Sequence, residues 1–111
     1  MENYKDLIVI NGRFLSQRMT GIQRFAYEIC CALQYIGVKF ILLAPKNVEN
    51  CYKIDQLPIR IIGGKGSHYW EQVTLPLYVK RHYKGSVLIG LSGLNPIFYN
   101  RNILTIHDLS Y

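Results

Sequence analysis

The stretch that most constrains the fold is residues 7–37, LIVINGRFLSQRMTGIQRFAYEICCALQYIG. Leu7, Ile8, Val9 and Ile10 form an unbroken apolar run, the pattern of a strand buried on both faces. Asn11, Gly12 and Arg13 break that run, and a polar loop leads to Thr20. Ile22, Phe25, Ala26, Ile29, Leu33 and Ile36 then recur at helical spacing and define one face of a helix. Thr20 and Gln23 have the spacing of a capping box, in which each side chain satisfies a backbone N–H. Gly37 can close the helix in a left-handed conformation without steric cost. A buried strand that feeds a glycine-containing loop into a helix N-terminus is the first βα unit of an open sheet. Such units present backbone N–H groups to anions, so function is expected at the carboxyl edge.

The alternation continues along the chain. Residues 38–44 (VKFILLA) predict a second buried strand, stopped by Pro45, and 46–56 form a polar connection. Residues 59–62 predict a short third strand. The loop that follows, GGKGS at 63–67, matches neither GxxxxGK[ST] nor GxGxxG and reads as a mobile connection. A second helix is expected over 68–83, with Trp70, Val73, Thr74, Leu77, Tyr78 and Arg81 sharing a face and a kink or restart at Pro76. Residues 86–91 predict a fourth strand, 92–102 a loop, and 103–106 a fifth strand ending on His107 and Asp108. Strands alternating with helices imply an α/β fold, a doubly wound, Rossmann-like parallel sheet in the order 3-2-1-4-5. Strands 1 and 4 then flank the switch point. The loops 11–21 and 92–101 and the pair His107–Asp108 lie along one edge. With no helix after the fifth strand, that side of the sheet is expected to be uncovered.

Composition narrows the partners without naming them. The 111 residues fit one domain, 1–111, and with 50% hydrophobic and 18% charged residues the chain is globular rather than disordered. A formal charge of +6 favours phosphate-bearing ligands, nucleic acid or an anionic membrane surface. Nucleic acid ranks last, because no recognition element accompanies the charge. The densest cluster, Lys80, Arg81, His82 and Lys84, fits the solvated end of a helix. No apolar run is long enough to span a bilayer, and the start MENYKDLIVI has no signal-peptide pattern, so a cytoplasmic location is expected. Cys30, Cys31 and Cys51 lack CxxC or metal-ligand spacing and read as reduced thiols, so no metal is expected.

Three stretches carry a family resemblance: INGRFLSQRMTGIQRFAYEICCAL, YWEQVTLPLYVKR and ILTIHDLSY. In order and spacing they resemble the amino-terminal domain of the GT-B fold, family 4 glycosyltransferases, in the branch of bacterial enzymes that assemble capsule and lipopolysaccharide O-antigen. The family's TG-I-x-R-[FY] signature is matched by Thr20, Gly21, Ile22, Arg24 and Phe25. Its Trp-Glu-Gln followed by Leu-Pro is matched by Trp70, Glu71, Gln72, Leu75 and Pro76, and its Thr-x-His-Asp by Thr105, His107 and Asp108. The resemblance implies retaining transfer of a sugar from a nucleotide-sugar donor to a hydroxyl of a lipid-linked glycan, with no metal or other cofactor. It further implies an acceptor-side domain whose carboxy-terminal, nucleotide-binding partner domain, with its Glu-x7-Glu motif, is missing from this chain. Peripheral contact with the inner face of an anionic membrane is a further expectation, from the basic charge.

The candidate site residues carry chemistry that such a transfer needs. A departing nucleoside diphosphate is stabilised by preorganised N–H donors and cations. Gly21, at a helix N-terminus, can approach a phosphate or sugar closely, or simply serve the start of the helix. His107, at the end of a strand beside the switch point, is the catalytic candidate, able to hydrogen-bond a donor sugar or orient the reacting centre. Asp108 is expected to orient backbone or His107. Arg13 and Arg24 are candidates to face phosphate or acceptor charge, although Arg24 lies on the polar side of the first helix. Glu71 is a candidate acceptor contact, and Trp70 reads as core rather than a sugar-stacking platform. The alternative from a different class is a non-catalytic binding or assembly module that uses its basic surface or exposed sheet edge.

Overall fold

The computed structural model describes residues 6–91 and, as a short strand, 102–103. Within it β1 (Ile8–Asn11) lies centrally, with β2 (Phe40–Ala44) and then β3 (Ile59–Ile61) on one side and β4 (Val87–Gly90) on the other. All of these pairings are parallel. Ile10 stands opposite Leu42 and Ile89, and Asn11 stands opposite Leu43 and Gly90. Beyond β4, the two residues Asn102–Ile103 form β5 and pair with Leu88 and Ile89, which extends the order to 3-2-1-4-5. The fifth strand was expected over 103–106; residues 104–106 lie outside the described part, as do the loop 92–101 and the pair His107–Asp108.

Alternation along each strand sends side chains to two cores. Ile10, Leu42 and Ala44 point to the layer of α1 (Gly21–Ile36), where Phe14, Leu15, Ala26, Cys30 and Tyr52 complete the packing. Val9, Leu43 and Leu88 point to the opposite layer, against Trp70, Leu75 and Val79 of the second helical segment. Parallel strands covered on both sides have no polar face, which is why the strand runs lack polar alternation.

The first helix keeps its expected ends. Gln23 Oε1 accepts from the Thr20 N–H at 3.3 Å and meets the Thr20 hydroxyl, and Gly37 closes the helix at φ 85°. Its buried face is a correction to the expected one. Ala26 and Cys30 are fully covered, while Ile22, Phe25 and Ile36 are 46%, 39% and 68% exposed. The apolar stripe is wider than the strip of sheet beneath it, and the small side chains Ala26 and Cys30 mark where helix and sheet approach most closely.

The second helical segment departs further from expectation. Helical backbone starts at residue 68, passes through a π-type turn at Trp70–Thr74, and continues as α2 (Leu75–His82). The Leu75 N–H reaches back five residues to the Trp70 carbonyl. The α-helix thus restarts at Leu75 after the wide turn, with Pro76 in its first turn, which is the restart expected there. The wide turn admits an extra residue to the inner face. Trp70, Glu71, Leu75, Pro76 and Val79 are buried, whereas Leu77, expected on that face, is 62% exposed. The three cysteines are free thiols. Among the described residues no helix is long and apolar enough to cross a membrane.

Candidate functional site

In a doubly wound sheet the crevice lies at the carboxyl ends of the strands, where the chain order reverses. Here that point is the end of β1, between β2 and β4, and the residue that ends β1 is Asn11. Alternation turns the Asn11 side chain to the same side as Val9, toward the second helical segment. There it is 2% exposed. Its Nδ2 donates to Glu71 Oε2 at 2.6 Å, and its Oδ1 accepts from the Arg13 N–H at 3.1 Å. The chain then turns through a 3-10 helix, Gly12–Ser16, with Asn11 as its cap. Arg13 Nη1 donates to Glu71 Oε1 at 2.9 Å. The result is a closed ring: Asn11 side chain, Glu71 carboxylate, Arg13 guanidinium and Arg13 backbone.

The ring forms where an isolated charge would be costly. The Glu71 side chain is 4% exposed and that of Arg13 is 19% exposed. A carboxylate removed from water needs its oxygens satisfied, and here one oxygen takes an amide donor and the other a charged one. The wide turn at Trp70–Thr74 makes this possible, since it carries Trp70 into the core while Glu71 faces the end of β1. The start of the segment is tied down independently. The Glu71 and Trp70 N–H groups donate to the Ser67 carbonyl (3.0 Å) and Ser67 Oγ (3.2 Å), and Trp70 Nε1 donates to the Ile62 carbonyl (2.9 Å).

Glycines hold the loops of this edge together. A β-carbon on Gly12 would strike the Leu43 carbonyl of the neighbouring strand, so the turn after β1 can be this tight only with glycine. Gly66 abuts Ser16 and Pro45 with no room for a side chain, and its N–H donates to Asn47 Oδ1 at 2.8 Å. The Lys46 N–H donates to the Gly64 carbonyl at 2.8 Å. The 63–67 loop, expected as a connection, is tied through Gly64 and Gly66 to the loops after β1 and β2.

The remaining candidates are dispersed. Gly21 starts α1 with nothing within 4 Å of an added β-carbon, so packing does not demand glycine there. Arg24 is exposed and pairs with Glu28 at 3.2 Å along the helix surface, a solvated i,i+4 pair apart from the buried ring. His107 and Asp108 lie outside the described residues. Glu71, a candidate acceptor contact by sequence, faces inward with both oxygens engaged inside the chain. Trp70 is core, 1% exposed. Asn11 escaped the sequence reading, where it served only to end an apolar run. The signal that marks it is parity: it falls two residues after Val9, so its amide must enter a core layer and find a partner.

Elsewhere, burial raises three groups on the α1 side, the Tyr27 hydroxyl among them. It pushes the Cys30 thiol up to about 12, with neighbouring Cys31 adding to the effect. It also pushes the Tyr52 hydroxyl up to about 12, with smaller contributions from Cys51 and Glu49. That hydroxyl lies 2.9 Å from the Gln17 carbonyl and 3.1 Å from that of Phe14, bracing the loop after the 3-10 helix. Among the described residues no group of His, Cys, Asp and Glu is arranged to hold a metal ion. No family model, no curated protein and no solved structure matches this chain.

Proposed function

We propose that the chain is the acceptor-side domain of a retaining, sugar-nucleotide-dependent glycosyltransferase, the amino-terminal half of a GT-B fold. It would pass a sugar to a lipid-linked glycan of a bacterial surface polysaccharide, at the cytoplasmic face of the membrane. The observation that carries this reading is the Asn11–Glu71–Arg13 ring. Two of the stretches that resemble the family, INGR and WEQ, are 60 residues apart from Asn11 to Glu71, and they meet as one buried polar junction at the sheet's switch point. In this reading Arg13 and the N-terminus of α1 at Gly21 face the reacting substrates, with Arg24 further out. His107 is the residue proposed to act on the donor sugar, and Asp108 the one to orient it. The nucleotide is held by a carboxy-terminal domain, and no cofactor is required.

The test is a transfer assay. The chain alone and the chain mixed with a family carboxy-terminal domain are offered a panel of nucleotide sugars and lipid-linked acceptors. Transfer only in the mixture is expected. Turnover by the chain alone would overturn the division of labour, and absence of transfer and of ligand binding across the panel would overturn the glycosyltransferase reading. A binding or assembly module is the second reading, favoured by one observation: Ile22, Phe25 and Ile36 leave an apolar stripe of α1 in solvent.

A further inference from the structure

We propose that Arg13 is the anion-binding residue of this edge, taking a phosphate group with the outward part of its guanidinium, and that Glu71 and Asn11 are positioning residues that aim it. The inference rests on the glycosyltransferase reading only for the phosphate's source, since a nucleoside diphosphate and a lipid diphosphate would offer the same chemistry.

The geometry separates aiming from contact. Glu71 is 3% exposed and meets Asn11 and Arg13, so it has no oxygen turned to solvent for a ligand. Arg13 is different. Among the described residues its guanidinium is hydrogen-bonded through Nη1 to Glu71, and 19% of the side chain remains accessible. A guanidinium carries five N–H donors in a rigid fork, so a carboxylate on one arm fixes the plane of the others. Backbone anchoring fixes the point from which the side chain starts. The Arg13 N–H is held by Asn11, and its carbonyl accepts from Ser16 Oγ at 2.7 Å. An arginine so restrained loses little entropy when a planar or tetrahedral oxyanion arrives, which is where a fork gains over a lysine.

A purely structural purpose would be poorly served by this arrangement. Burying a carboxylate and a guanidinium together is on balance no more stabilising than packing apolar side chains of similar size in the same space. The ring also occupies the one place where an open parallel sheet offers ligands a crevice. Arg24 makes the contrast: equally charged, but with its side chain exposed and, among the described residues, paired along its own helix, it has no shelter from water.

The experiment titrates the whole chain with inorganic pyrophosphate, uridine diphosphate and a short-chain prenyl diphosphate. Binding is measured by calorimetry in every variant, and in the unsubstituted chain also by NMR of the Arg13 Nε–H resonance, identified by its loss in Arg13→Lys. Pyrophosphate is expected to shift that resonance saturably. Two charge-conserving variants probe geometry. Arg13→Lys keeps the cation and loses the fork, and Glu71→Asp keeps the carboxylate and withdraws it by one methylene. Each is expected to weaken pyrophosphate binding about tenfold, the scale of one charge-assisted hydrogen bond. Arg24→Ala is expected to change it less than about twofold. Should Glu71→Asp fold poorly, the double variant Arg13→Met/Glu71→Met removes the ring without leaving an unpaired charge. It is expected to fold and to lose binding. A fall in melting temperature without loss of affinity in Glu71→Asp would return Glu71 to a structural role and overturn its part in the inference. Unchanged binding in Arg13→Lys and in the double variant, or no binding of any probe, would overturn the whole. Binding of uridine diphosphate or of the prenyl diphosphate names the phosphate's source and supports the site. Pyrophosphate binding at Arg13 with neither ester bound supports the site while counting against the glycosyltransferase reading.

Discussion

The two helical layers of this sheet are built on opposite terms. On one side α1 is a regular helix that comes close to the strands through Ala26 and Cys30 and leaves Ile22, Phe25 and Ile36 in water. On the other, the second helical segment is interrupted by a wide turn and buries a tryptophan and a glutamate side by side at its start. The regular layer solves only a packing problem. The irregular one gives up uniform backbone geometry to bring Glu71 under the end of β1. Among the described residues, the clustered candidate chemistry lies on the irregular side. A departure from local preference that persists in a folded chain is where a function is most reasonably sought.

The comparison can be broken most forcefully at Glu71. Glu71→Leu should destabilise the protein by about 3–5 kcal/mol in urea unfolding, because it strands the Arg13 cation and the Asn11 amide in a partly dry site. The double variant Arg13→Met/Glu71→Met should recover most of that loss. If the single replacement cost no more than a surface change, the ring would not be a buried unit, and the contrast between the layers would lose its basis.

Glycine sharpens the same contrast between the sheet edge and α1. Gly12→Ala drives a methyl group into the Leu43 carbonyl and should cost about 1–3 kcal/mol, since backbone of an adjacent strand must move. Gly21→Ala meets nothing and, at the first position of a helix, should change stability by less than about 0.5 kcal/mol. Thermal midpoints of the two variants measure both. If Gly21→Ala abolishes binding of the diphosphate probes at unchanged stability, the glycine serves a ligand rather than the helix.

The α1 layer has its own point of failure, in alkali. Cys30 is raised to about 12 by burial, so the folded state holds a proton that the unfolded thiol releases at lower pH. The unfolded chain then binds fewer protons, and stability falls as pH rises. The contribution is intact below about pH 8.5, the ordinary thiol range, and is lost progressively toward the folded value of about 12. Unfolding by urea between pH 8 and 11 should show this decline, and Cys30→Ala should remove the part below about pH 10, the ordinary phenol value above which buried Tyr52 adds its own. Thiol labelling at pH 8 should modify exposed Cys51 well before buried Cys30.

How far the sequence reveals this molecule depends on the kind of signal each element carries. Apolar runs such as Leu7–Ile10 and the capping residues Thr20, Gln23 and Gly37 report local physics, and the strand order follows from them through the rules of parallel crossovers. Spacing misses the buried faces of both helices for tertiary reasons. The spacing of Ile22, Phe25 and Ile36 shows that they share a side, but not how much sheet lies beneath it. The wide turn at Trp70–Thr74 is invisible to a rule that assumes a uniform helical period, so that rule puts Leu77 on the inner face and leaves Glu71 off it. Arg13 was legible as a charge near the right edge. Its partner was not, because a hydrogen bond across 58 residues depends on register that only the folded sheet supplies.

The smallest expected effect concerns the other arginine. Arg24 and Glu28 are paired at 3.2 Å with side chains 68% and 63% exposed, so water competes for both partners and salt screens what attraction remains. Along a helix such a pair contributes about 0.3–0.5 kcal/mol. The cationic residue also stands four residues before the anionic one, the less favourable orientation with respect to the helix dipole. Arg24→Ala, Glu28→Ala and the double variant should therefore form a nearly additive cycle in urea unfolding, with a coupling that shrinks further at 1 M salt. A coupling comparable to that of the Arg13–Glu71 pair would mean that the outer face of α1 is less open than its exposure suggests. Something would then cover Ile22 and Phe25 in solution, and the regular layer would no longer be only a scaffold.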